Sequence, residues 1–434
     1  MAGCREDDLG LKEGVRFEGM VTKGAPAALI GVSDGRARQP RGCDHLPSSR
    51  LDYAAQPSYR CTIGVLPGWG EPLDVANEPD ALIGFSDAVA VAALEDEWRS
   101  LVAEVGGSFF LTPDWVLSWW ETVAGRPEGV IAVWRSPDGP LDAVVPLVRA
   151  RRQLNRRLPF AVRVWTNAGA TPGAGDHSGF AVRPAALDRV REWLALRMRS
   201  GGCLASVDPS STPAVPAAAA LVVETNCPRI ALPFDDHSVS RNFRQQLRGS
   251  RRKAATAAIA FSIVPPGEMS EELLDRLWQL HDQRQRQFNK GTNFLRAERP
   301  LHLAVLRRSG DGRGAAALIG EQDGRVVGVV YGFLWGDTFA YYQLGWDQSF
   351  QRQRLGLVLL SEAMDAMSTL GATVFDFLRG GERYKYRFGA TDRVDRTYVI
   401  ARGSARLLYT KYRLSHAGRD CSPRSSIRSK YPQP

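Results

Sequence analysis

The chain has 434 residues, which is enough for two or three domains. Hydrophobic residues make up 44% and charged residues 24%, as in ordinary globular proteins, and no apolar run approaches the roughly 18 residues of a membrane span. The formal net charge is +9, and only seven of the 56 basic residues are Lys. Arg offers a planar fork of donors that suits phosphate or carboxylate, but a coding bias toward Arg is the simpler explanation.

Two further features bear on the compartment. The first residues, MAGCREDDLGLKEG, lack the apolar core of a secretory signal, so we expect none. The six cysteines are scattered without a CxxC pair, which predicts neither a zinc site nor a disulfide framework. We therefore expect a cytoplasmic protein.

Composition divides the chain into four segments. Residues 1–80 are rich in Gly, Pro, Ser and Arg without sustained periodicity, which is typical of an irregular or disordered extension. Periodic apolar patterns begin near Ala81, break at DPSSTPAVPAAAA and resume near Ser238. We predict an N-terminal domain over residues 81–235, a C-terminal domain over 236–415 and a basic disordered tail over 416–434.

The first half reads as helices followed by a hairpin. LEDEWRSLVAEV has apolar residues at helical spacing, and a second helix begins at Pro113 and carries Trp115, Trp119 and Trp120. VIAVWRS and LDAVVPLV flank the dipeptide Asp-Gly, which is a strong hairpin signal. A further amphipathic helix is predicted over residues 185–198.

The second half repeats this order. SRNFRQQLRGSRRKAATA is a helix with an Arg-rich face, followed by the strand IAFSIV, a helix capped by Ser270 and a helix over residues 299–308. AAALIGEQ and RVVGVVYGFLW flank another Asp-Gly turn, and TFAYYQLGWD is the next strand. LGLVLLSEAMDAMSTLG is a helix, and TVFDFL is a strand that should lie beside TFAYYQLGWD. The repeat suggests duplication of an α/β unit, although such hairpins are common.

The loop before that last helix resembles a known motif. Gln353-Arg354-Leu355-Gly356-Leu357-Val358 resembles the Q/R-x-x-G-x-G/A loop of the GNAT acyltransferase fold, with Val358 in place of the final Gly or Ala. In that family the backbone N–H groups of the loop hold the pyrophosphate of coenzyme A. The resemblance predicts a site for acetyl-CoA or another acyl-CoA and no metal. The predicted donor-binding residues are Leu344, Gly345, Arg352, Gln353, Arg354, Leu355, Gly356 and Leu357.

A longer pattern resembles the CelD-like acetyltransferases, which are related to Fem-type aminoacyl transferases. It comprises FFLTPDW, VVPL, the Arg-rich helix, YYQLGWD and FDFLRGGERYKYRFG, whose ending is similar to the family's D-F-x-x-G-x-E-x-Y-K. The resemblance implies two tandem GNAT-like α/β (α+β) domains, each a mixed, mostly antiparallel sheet flanked by helices, with the donor site in the second. It also implies acyl transfer to an amine or hydroxyl of a polysaccharide- or envelope-related acceptor.

In the GNAT interpretation, an amine attacks a thioester that a backbone N–H of the strand segment 342–345 polarises. A base must then take a proton, and the candidates are Glu321, Asp376, Glu382 and Tyr342. Tyr384 and Lys385 are predicted to face the reacting groups or an anionic part of the acceptor. The predicted catalytic residues are Asp376, Glu382, Tyr384, Lys385 and Tyr342.

Each candidate has a plainer explanation. For Asp376 the sequence leaves three alternatives open: it lines a cleft, faces solvent or holds Arg379. For Glu382 and Lys385 the alternative to a catalytic role is an ion pair on one helical turn. His281 beside an apolar stripe is a packing residue. Asp176-His177-Ser178 has the residue types of a hydrolase triad, but adjacent residues cannot adopt its geometry; we interpret this segment as a loop lining the acceptor cleft.

Three other functions compete with acyl transfer from acyl-CoA. A Fem-like enzyme would transfer from aminoacyl-tRNA and place the Arg face of residues 241–252 against RNA phosphates. A protein that binds nucleic acid without catalysis is the second, although no nucleic-acid-binding motif supports it. A degenerate, non-catalytic scaffold is the third, suggested by Val358. The expected partner is a small-molecule or glycan acceptor, with tRNA as the alternative, no DNA and no membrane span.

Overall fold

The structure is a computed structural model that describes residues 77–417, apart from residues 124, 138, 155–159, 171–174 and 288–297. Residues 418–434 of the predicted tail (416–434) and residues 1–76 of the predicted N-terminal extension (1–80) lie outside the described residues, and residues 416–417 end a helix. No result tests the predicted domain boundaries, which stay a prediction.

The first half contains the predicted helices and hairpin together with further strands. Its elements in chain order are β1 (Ala81–Gly84), α1 (Ala88–Glu104), α2 (Pro113–Thr122), β2 (Gly129–Arg135), β3 (Leu141–Gln153), β4 (Ala161–Asn167), β5 (Ala181–Val182), α3 (Leu187–Arg197), β6 (Gly202–Val207) and β7 (Ala220–Ala231). Residues 208–219 join β6 to β7, and β7 begins at the end of the Pro/Ala-rich passage that was predicted to separate the halves.

The second half follows the predicted order closely. Its elements are α4 (Arg241–Thr256), β8 (Ala260–Val264), α5 (Glu271–Gln287), α6 (Arg299–Arg308), β9 (Gly314–Gln322), β10 (Arg325–Trp335), β11 (Thr338–Trp346), α7 (Leu355–Thr369), β12 (Val374–Asp376), α8 (Arg383–Arg387), β13 (Thr391–Ile400) and α9 (Ala405–Ala417). β12 pairs with β11, as predicted. β13 and α9 were not predicted.

The described strands form one 13-stranded sheet in the order β1-β2-β3-β4-β6-β13-β7-β12-β11-β10-β9-β8, with β5 paired to β3 outside this path. Among the described pairs, only β4–β6 and β11–β12 are parallel. The predicted mixed α/β fold with a mainly antiparallel sheet flanked by helices is therefore confirmed.

The two halves exchange their last strands. β7, which ends the first half, pairs with β12 of the second half, and β13, which ends the second half, pairs with β6 of the first. β7 and β13 also pair with each other, antiparallel, from one end to the other. This exchange brings the loops that follow β4 and β12 together at the middle of the sheet.

Helices cover both faces of the sheet because the strands alternate their apolar side chains. In β10, Val329, Tyr331 and Phe333 pack in the core with α1, α2, α5 and α6, whereas Val330 and Leu334 pack in a second core with α4 and α7. A smaller cluster lies beneath α9. In the described part of the chain, no helix is long and apolar enough to cross a lipid bilayer.

Local sequence explains how α2 begins. Pro113 occupies its first position, where the missing N–H is not needed, and the Thr112 hydroxyl accepts a hydrogen bond from the Trp115 N–H at 3.4 Å. Trp115 and Trp119 are buried, and Trp120 packs partly buried against the same core. The tryptophans thus belong to the core, as their helical spacing suggested.

The Arg-rich helix α4 is amphipathic, as predicted. Phe243, Leu247 and Ala254 are buried, whereas Ala258 is exposed beyond the helix end with φ of 54°. The outer arginines largely bind neighbouring protein groups. Arg251 pairs with Glu362 at 2.7 Å and with Asp365 at 2.5 Å, both on α7.

Two more of these arginines bind the segment that precedes α4. Arg244 donates to the backbone carbonyls of residues 236, 237 and 239, and Arg248 pairs with Asp236 at 3.1 Å. Much of the Arg face therefore joins α4 to the rest of the fold.

Candidate functional site

Two strands separate at the middle of the second half. β11 and β12 are in register for three residue pairs only, ending at Ala340 and Asp376. β11 continues to Trp346 beside β10, while the chain after β12 turns toward β7 through a hydrogen bond from the Phe377 N–H to the Pro228 carbonyl at 2.8 Å. Residues 341–346 and 377–380 therefore lie beside different strands. We call the space between them the cleft, because the GNAT resemblance predicts the site of transfer here.

A basic turn follows β11 at the start of α7. The chain forms a short 3-10 helix, Gln348–Gln353, whose cap Asp347 accepts a hydrogen bond from the Ser349 N–H at 3.0 Å. Arg354 then adopts the left-handed conformation, with φ of 53° and ψ of 48°, and α7 begins at the next residue. The first turn of α7 carries no acidic residue, so its N-terminal dipole faces the exposed Arg352 and Arg354 side chains.

Several predicted donor-binding residues have a packing role in the structure. A Cβ at position 356 would lie 2.7 Å from the Trp346 indole nitrogen, and one at position 345 would lie 2.8 Å from the Leu277 carbonyl oxygen of α5. Both glycines therefore permit close packing. Leu344 and Leu355 are buried, while Gln353 and Leu357 are partly buried. The side chains of Leu344 and Leu355 are therefore not available to a ligand.

Val358, which departs from the GNAT pattern, is also part of the core. Its side chain is fully buried among the apolar residues beneath α7. It therefore lies away from the outer surface of the turn, and the sequence-based suggestion that it marks a degenerate site loses its basis.

An open hollow of about 280 Å³ lies beside the same turn. It runs between α4 and the start of α7, and the Lys253 ammonium lies 3.5 Å from the Arg352 carbonyl at its rim. No acidic residue lines it. Its lining residues are Gln245, Gln246, Gly249, Ser250, Lys253 and Arg354.

Asp376 ends β12 and is buried, so it does not face solvent. One carboxylate oxygen accepts a hydrogen bond from the Leu378 N–H at 2.8 Å, and the other lies 3.2 Å from Nε2 of His177. Asp376 does not hold Arg379, which pairs instead with Asp176. Solvent exposure and a pair with Arg379 are thus excluded, and that Asp376 lines a cleft stays a prediction; the structure places it instead in an internal polar group with His177.

His177 lies between two carboxylates from the other half of the chain. Its Nδ1 is 2.7 Å from Asp395 of β13, and its backbone N–H donates to the second oxygen of Asp395 at 2.7 Å. All three side chains are buried. His177 has φ of 45°, and Leu378 beside Asp376 has φ of 56°, conformations that other residues than Gly adopt rarely and that tend to cluster at functional sites.

Charge, not burial, sets the protonation of this group. Burial lowers the pKa of His177, but Asp376 and Asp395 together hold it well above its ordinary value. Burial likewise raises the pKa of Asp376, and the facing imidazolium outweighs it, so the pKa lies below the usual range. These facing charges favour an imidazolium clamped between carboxylates.

Cys227 of β7 lies next to this clamp. Its sulfur and the side chains of His177 and Asp395 present three metal-ligand atoms within 4.8 Å of one another. Ligands of a tetrahedral zinc lie about 2.0–2.3 Å from the ion, which sets neighbouring ligand atoms farther apart than the 2.7 Å between His177 and Asp395. That contact has the length of a hydrogen bond, and burial with the nearby carboxylates raises the pKa of the Cys227 thiol. The geometry fits a shared proton better than a metal ion.

The loop around His177 also contacts the chain that follows β12. Asp176 pairs with the Arg379 guanidinium, whose Nη2 lies 3.3 Å from the Gly175 carbonyl. Asp176 and His177 therefore use different partners, and the three adjacent residues do not form a hydrolase triad. That this loop lines the acceptor cleft stays a prediction.

Tyr342 lies on the β11 side of the cleft. Its ring contacts Phe333 and His302 with centroids 5.4 and 5.1 Å away. Burial is the main reason that its pKa lies well above 10, with Glu298 and Asp176 acting in the same direction. A raised pKa favours the neutral phenol, and the role of Tyr342 as a base stays a prediction.

Lys385 does not face the reacting groups, which corrects the sequence-based prediction. Its side chain is 3% exposed, and the ammonium donates to the carbonyls of Leu378, Arg379 and Gly380 at 3.3, 2.9 and 3.0 Å. It also pairs with Glu382 at 2.8 Å, so the plainer interpretation as an ion pair on one turn is confirmed. Lys385 holds the chain that leaves β12.

The remaining candidates lie away from the reacting centre. Tyr384 packs its ring on Phe377, with centroids 6.2 Å apart. Glu321 is at the β9 end that pairs with β8, three strands from Asp376. His281 is buried in α5 with Nδ1 3.5 Å from the Leu344 carbonyl, consistent with a packing residue. The sequence carried no signal for Asp395, because strand β13 was not predicted.

The comparisons with known proteins point to the same half of the chain. Residues 241–386 match the model of the acetyltransferase (GNAT) domain family, which is about a third of the chain. No curated protein matches the sequence. The segment includes the basic turn and the separated strands.

Solved structures similar to this chain have low sequence identity. FemX is 10% identical, with 73% of this chain and 98% of that chain covered and a TM-score of 0.49. L-PGS from Bacillus licheniformis is 12% identical, with 75% and 96% covered and a TM-score of 0.47. A tandem GNAT protein from the clavulanic acid biosynthesis pathway is 12% identical, with 74% and 97% covered and a TM-score of 0.38. Residues 241–386 are thus similar to the acetyltransferase (GNAT) domain.

Proposed function

We propose that the protein transfers an acyl group from acyl-CoA to an amine or hydroxyl acceptor, and that the cleft between β11 and β12 is the site of transfer. One observation carries the proposal: the separated strands end beside a basic turn that opens a helix free of acid in its first turn. Such a helix start binds phosphates through backbone N–H groups and the helix dipole. The hollow between α4 and α7 adds a Lys and an Arg beside it.

The cleft supplies the groups that transfer to an amine requires. Backbone N–H groups of residues 342–345 polarise the thioester carbonyl, and the amine nitrogen attacks its carbon. The carbon–nitrogen bond forms as the carbon–sulfur bond breaks. The acceptor ammonium first loses one proton to solvent through water, which gives the attacking amine. The neutral phenol of Tyr342 gives its proton to the leaving sulfur, and the second proton lost by the nitrogen passes through water and restores the phenol, so one proton is released to solvent overall.

The clamp of His177, Asp376 and Asp395 has a positioning role in this proposal. It fixes the end of β12 and brings Asp176 with Arg379 to the cleft. Because the facing charges favour a protonated histidine, the clamp is not the base. The acceptor class, an envelope or polysaccharide component, rests on the sequence resemblance to CelD-like proteins.

Transfer from aminoacyl-tRNA is less well supported than transfer from acyl-CoA. It depended on the Arg face of α4, and Arg244, Arg248 and Arg251 of that face bind protein groups. Those contacts leave fewer guanidinium groups for RNA phosphates.

Calorimetric binding of acetyl-CoA and longer acyl-CoA tests the proposal. Gly356→Asp is a poor variant because it would collide with Trp346. Arg354→Gly is better, since glycine accepts the left-handed conformation while the guanidinium is removed. We expect roughly tenfold weaker binding with an unchanged melting temperature, as one charge-assisted phosphate contact is lost.

The matched control is Arg307→Ala, because Arg307 is exposed on α6, which packs on the other face of the sheet from α4 and α7. This variant should bind acyl-CoA as wild type does. A wild-type chain that binds no acyl-CoA, but binds aminoacyl-tRNA in a salt-dependent manner, would reject the proposal.

A further inference from the structure

The C-terminal helix α9 has two different faces. Ala405, Leu408 and Tyr412 recur at helical spacing and pack on the sheet with Val162 and Val164. The opposite face carries Leu407 and Leu414, which are 55% and 71% exposed. They are seven residues apart, so they lie above one another on one side of the helix.

A third exposed apolar side chain belongs to the same region. Phe160 is 63% exposed at the end of the β3–β4 hairpin, where its carbonyl accepts a hydrogen bond from the Leu154 N–H at 2.9 Å. Leu154 packs in the cluster beneath α9. The Lys411 ammonium donates to the Gln153 carbonyl at 2.9 Å, which fixes α9 beside the hairpin. Phe160 and Leu414 therefore lie near the same end of the helix.

The charges around these side chains have one sign. α9 carries the exposed side chains of Arg406, Lys411 and Arg413, whereas Arg152 of the β3–β4 hairpin lies on the strand face that α9 covers. Neither α9 nor residues 149–167 contain Asp or Glu. Across the rest of the described surface, in contrast, arginines are commonly paired with acids, as Arg135 is with Glu97.

We propose that this surface, formed by α9 and Phe160, docks the protein peripherally on an anionic lipid membrane. Exposed leucine and phenylalanine side chains insert among the acyl chains near the headgroups, and flanking Lys and Arg are attracted to anionic headgroups. An acid-free cationic rim around exposed apolar side chains complements such a surface. A single exposed apolar residue would not carry this inference, because isolated ones are common on proteins.

Co-sedimentation of the full chain with vesicles tests the proposal. We expect binding to vesicles of phosphatidylcholine with about 30% phosphatidylglycerol, and at least tenfold weaker binding to phosphatidylcholine alone. Raising the salt concentration should weaken the binding, since the headgroup attraction is screened. The double variant Leu407→Glu with Leu414→Glu should reduce binding by about tenfold or more, and Arg406→Ser with Arg413→Ser should remove most of the preference for anionic vesicles.

Val89→Glu is the matched control, because Val89 is 82% exposed but lies on α1. It should bind as wild type does, and circular dichroism should show all variants folded. Equal binding of wild type and the double leucine variant, or no binding of wild type to either vesicle, would overturn the proposal. It would equally be overturned if sedimentation in solution showed that the leucine variant abolishes self-association of a wild-type dimer, because α9 would then contact a second copy.

Discussion

Two helices follow comparable strands in the two halves, α3 between β4 and β6 and α7 between β11 and β12, but the charges at their starts differ. In α3, Asp188 occupies the first turn and pairs with Arg191 at 2.7 Å, and Arg191 also donates to the Pro213 carbonyl at 2.8 Å. In α7 no acid is present, and Arg352 and Arg354 precede the helix. The α3 dipole is already compensated within the chain, whereas the α7 dipole is left for an anion.

The loops before these helices differ in the same way. After β4, the chain sends His177 across to Asp376 and Asp395, so this loop binds the other half of the protein. After β11, the chain forms a compact basic turn with exposed arginines. The loop at this position in the first half thus binds the second half of the protein. In our proposal, the equivalent loop in the second half binds a ligand.

Removing the clamp should have the largest effect. His177→Gln leaves Asp376 and Asp395 buried without their counter-charge, and we expect the free energy of unfolding to fall by about 3–5 kcal/mol. Denaturant titration measures this. His237→Gln is the control, since His237 is exposed in a surface ion pair and should change stability by less than about 0.5 kcal/mol. A loss below about 1 kcal/mol for His177→Gln would remove the contrast between the two loops.

The clamp should also make stability depend on pH. His177 has a pKa raised above its unfolded value, so its stabilisation is complete below about pH 6.5 and is lost as pH rises through the folded-state pKa. Asp376 has a lowered pKa, so its contribution is present above about pH 4 and is lost as pH falls through the folded-state value. The stability gap between wild type and His177→Gln should therefore be widest near neutral pH and narrow in alkali. A constant gap between about pH 6 and pH 10 contradicts the assignment.

Lys385→Met tests whether the residue after β12 is structural. We expect a loss of about 2 kcal/mol in the free energy of unfolding, because buried carbonyls of the 378–380 segment lose a charged donor. Acyl transfer should fall together with stability. Arg383→Ala, at an exposed position of α8, is the control. Lost transfer with unchanged stability would instead support the direct role that the sequence suggested.

The smallest effect is expected at α3. Asp188→Asn removes a surface charge from a helix start, and the melting temperature should fall by no more than about 2 °C. The variant should gain no acyl-CoA binding, because α3 lacks the basic turn found before α7. If calorimetry detected an additional acyl-CoA site in Asp188→Asn relative to wild type, removal of the acidic charge would be enough to create a site without a basic turn.

Local patterns predicted the elements that depend on neighbours in sequence. Ser270 caps α5 by accepting a hydrogen bond from the Leu273 N–H at 3.2 Å, and Asp323 with Gly324 turns the β9–β10 hairpin with φ of 51° and 73°. The basic turn before α7 was also identified from its residues. These features follow from caps, turn conformations and apolar periodicity, which act over a few residues.

The candidate site was predicted less completely because it depends on contacts between distant residues. Asp376 was a candidate, but its partners His177 and Asp395 are brought to it by the exchange of β7 and β13. No local pattern sets which distant strand pairs with which, or in what register. Lys385 was assigned to the cleft for a different reason. The carbonyls of Leu378, Arg379 and Gly380 are close to it in sequence, but the backbone path after β12, which residue types do not reveal, turns them toward its ammonium.

The sequence by itself determined the α/β order, the helix starts and the acid-free basic turn, because each arises from interactions within one or two turns of chain. Tertiary structure decided that the strands exchange, that the clamp favours a charged His177 and that the neutral phenol of Tyr342 is favoured. Burial and facing charges cause these last properties, and both arise only when residues far apart in sequence are packed together.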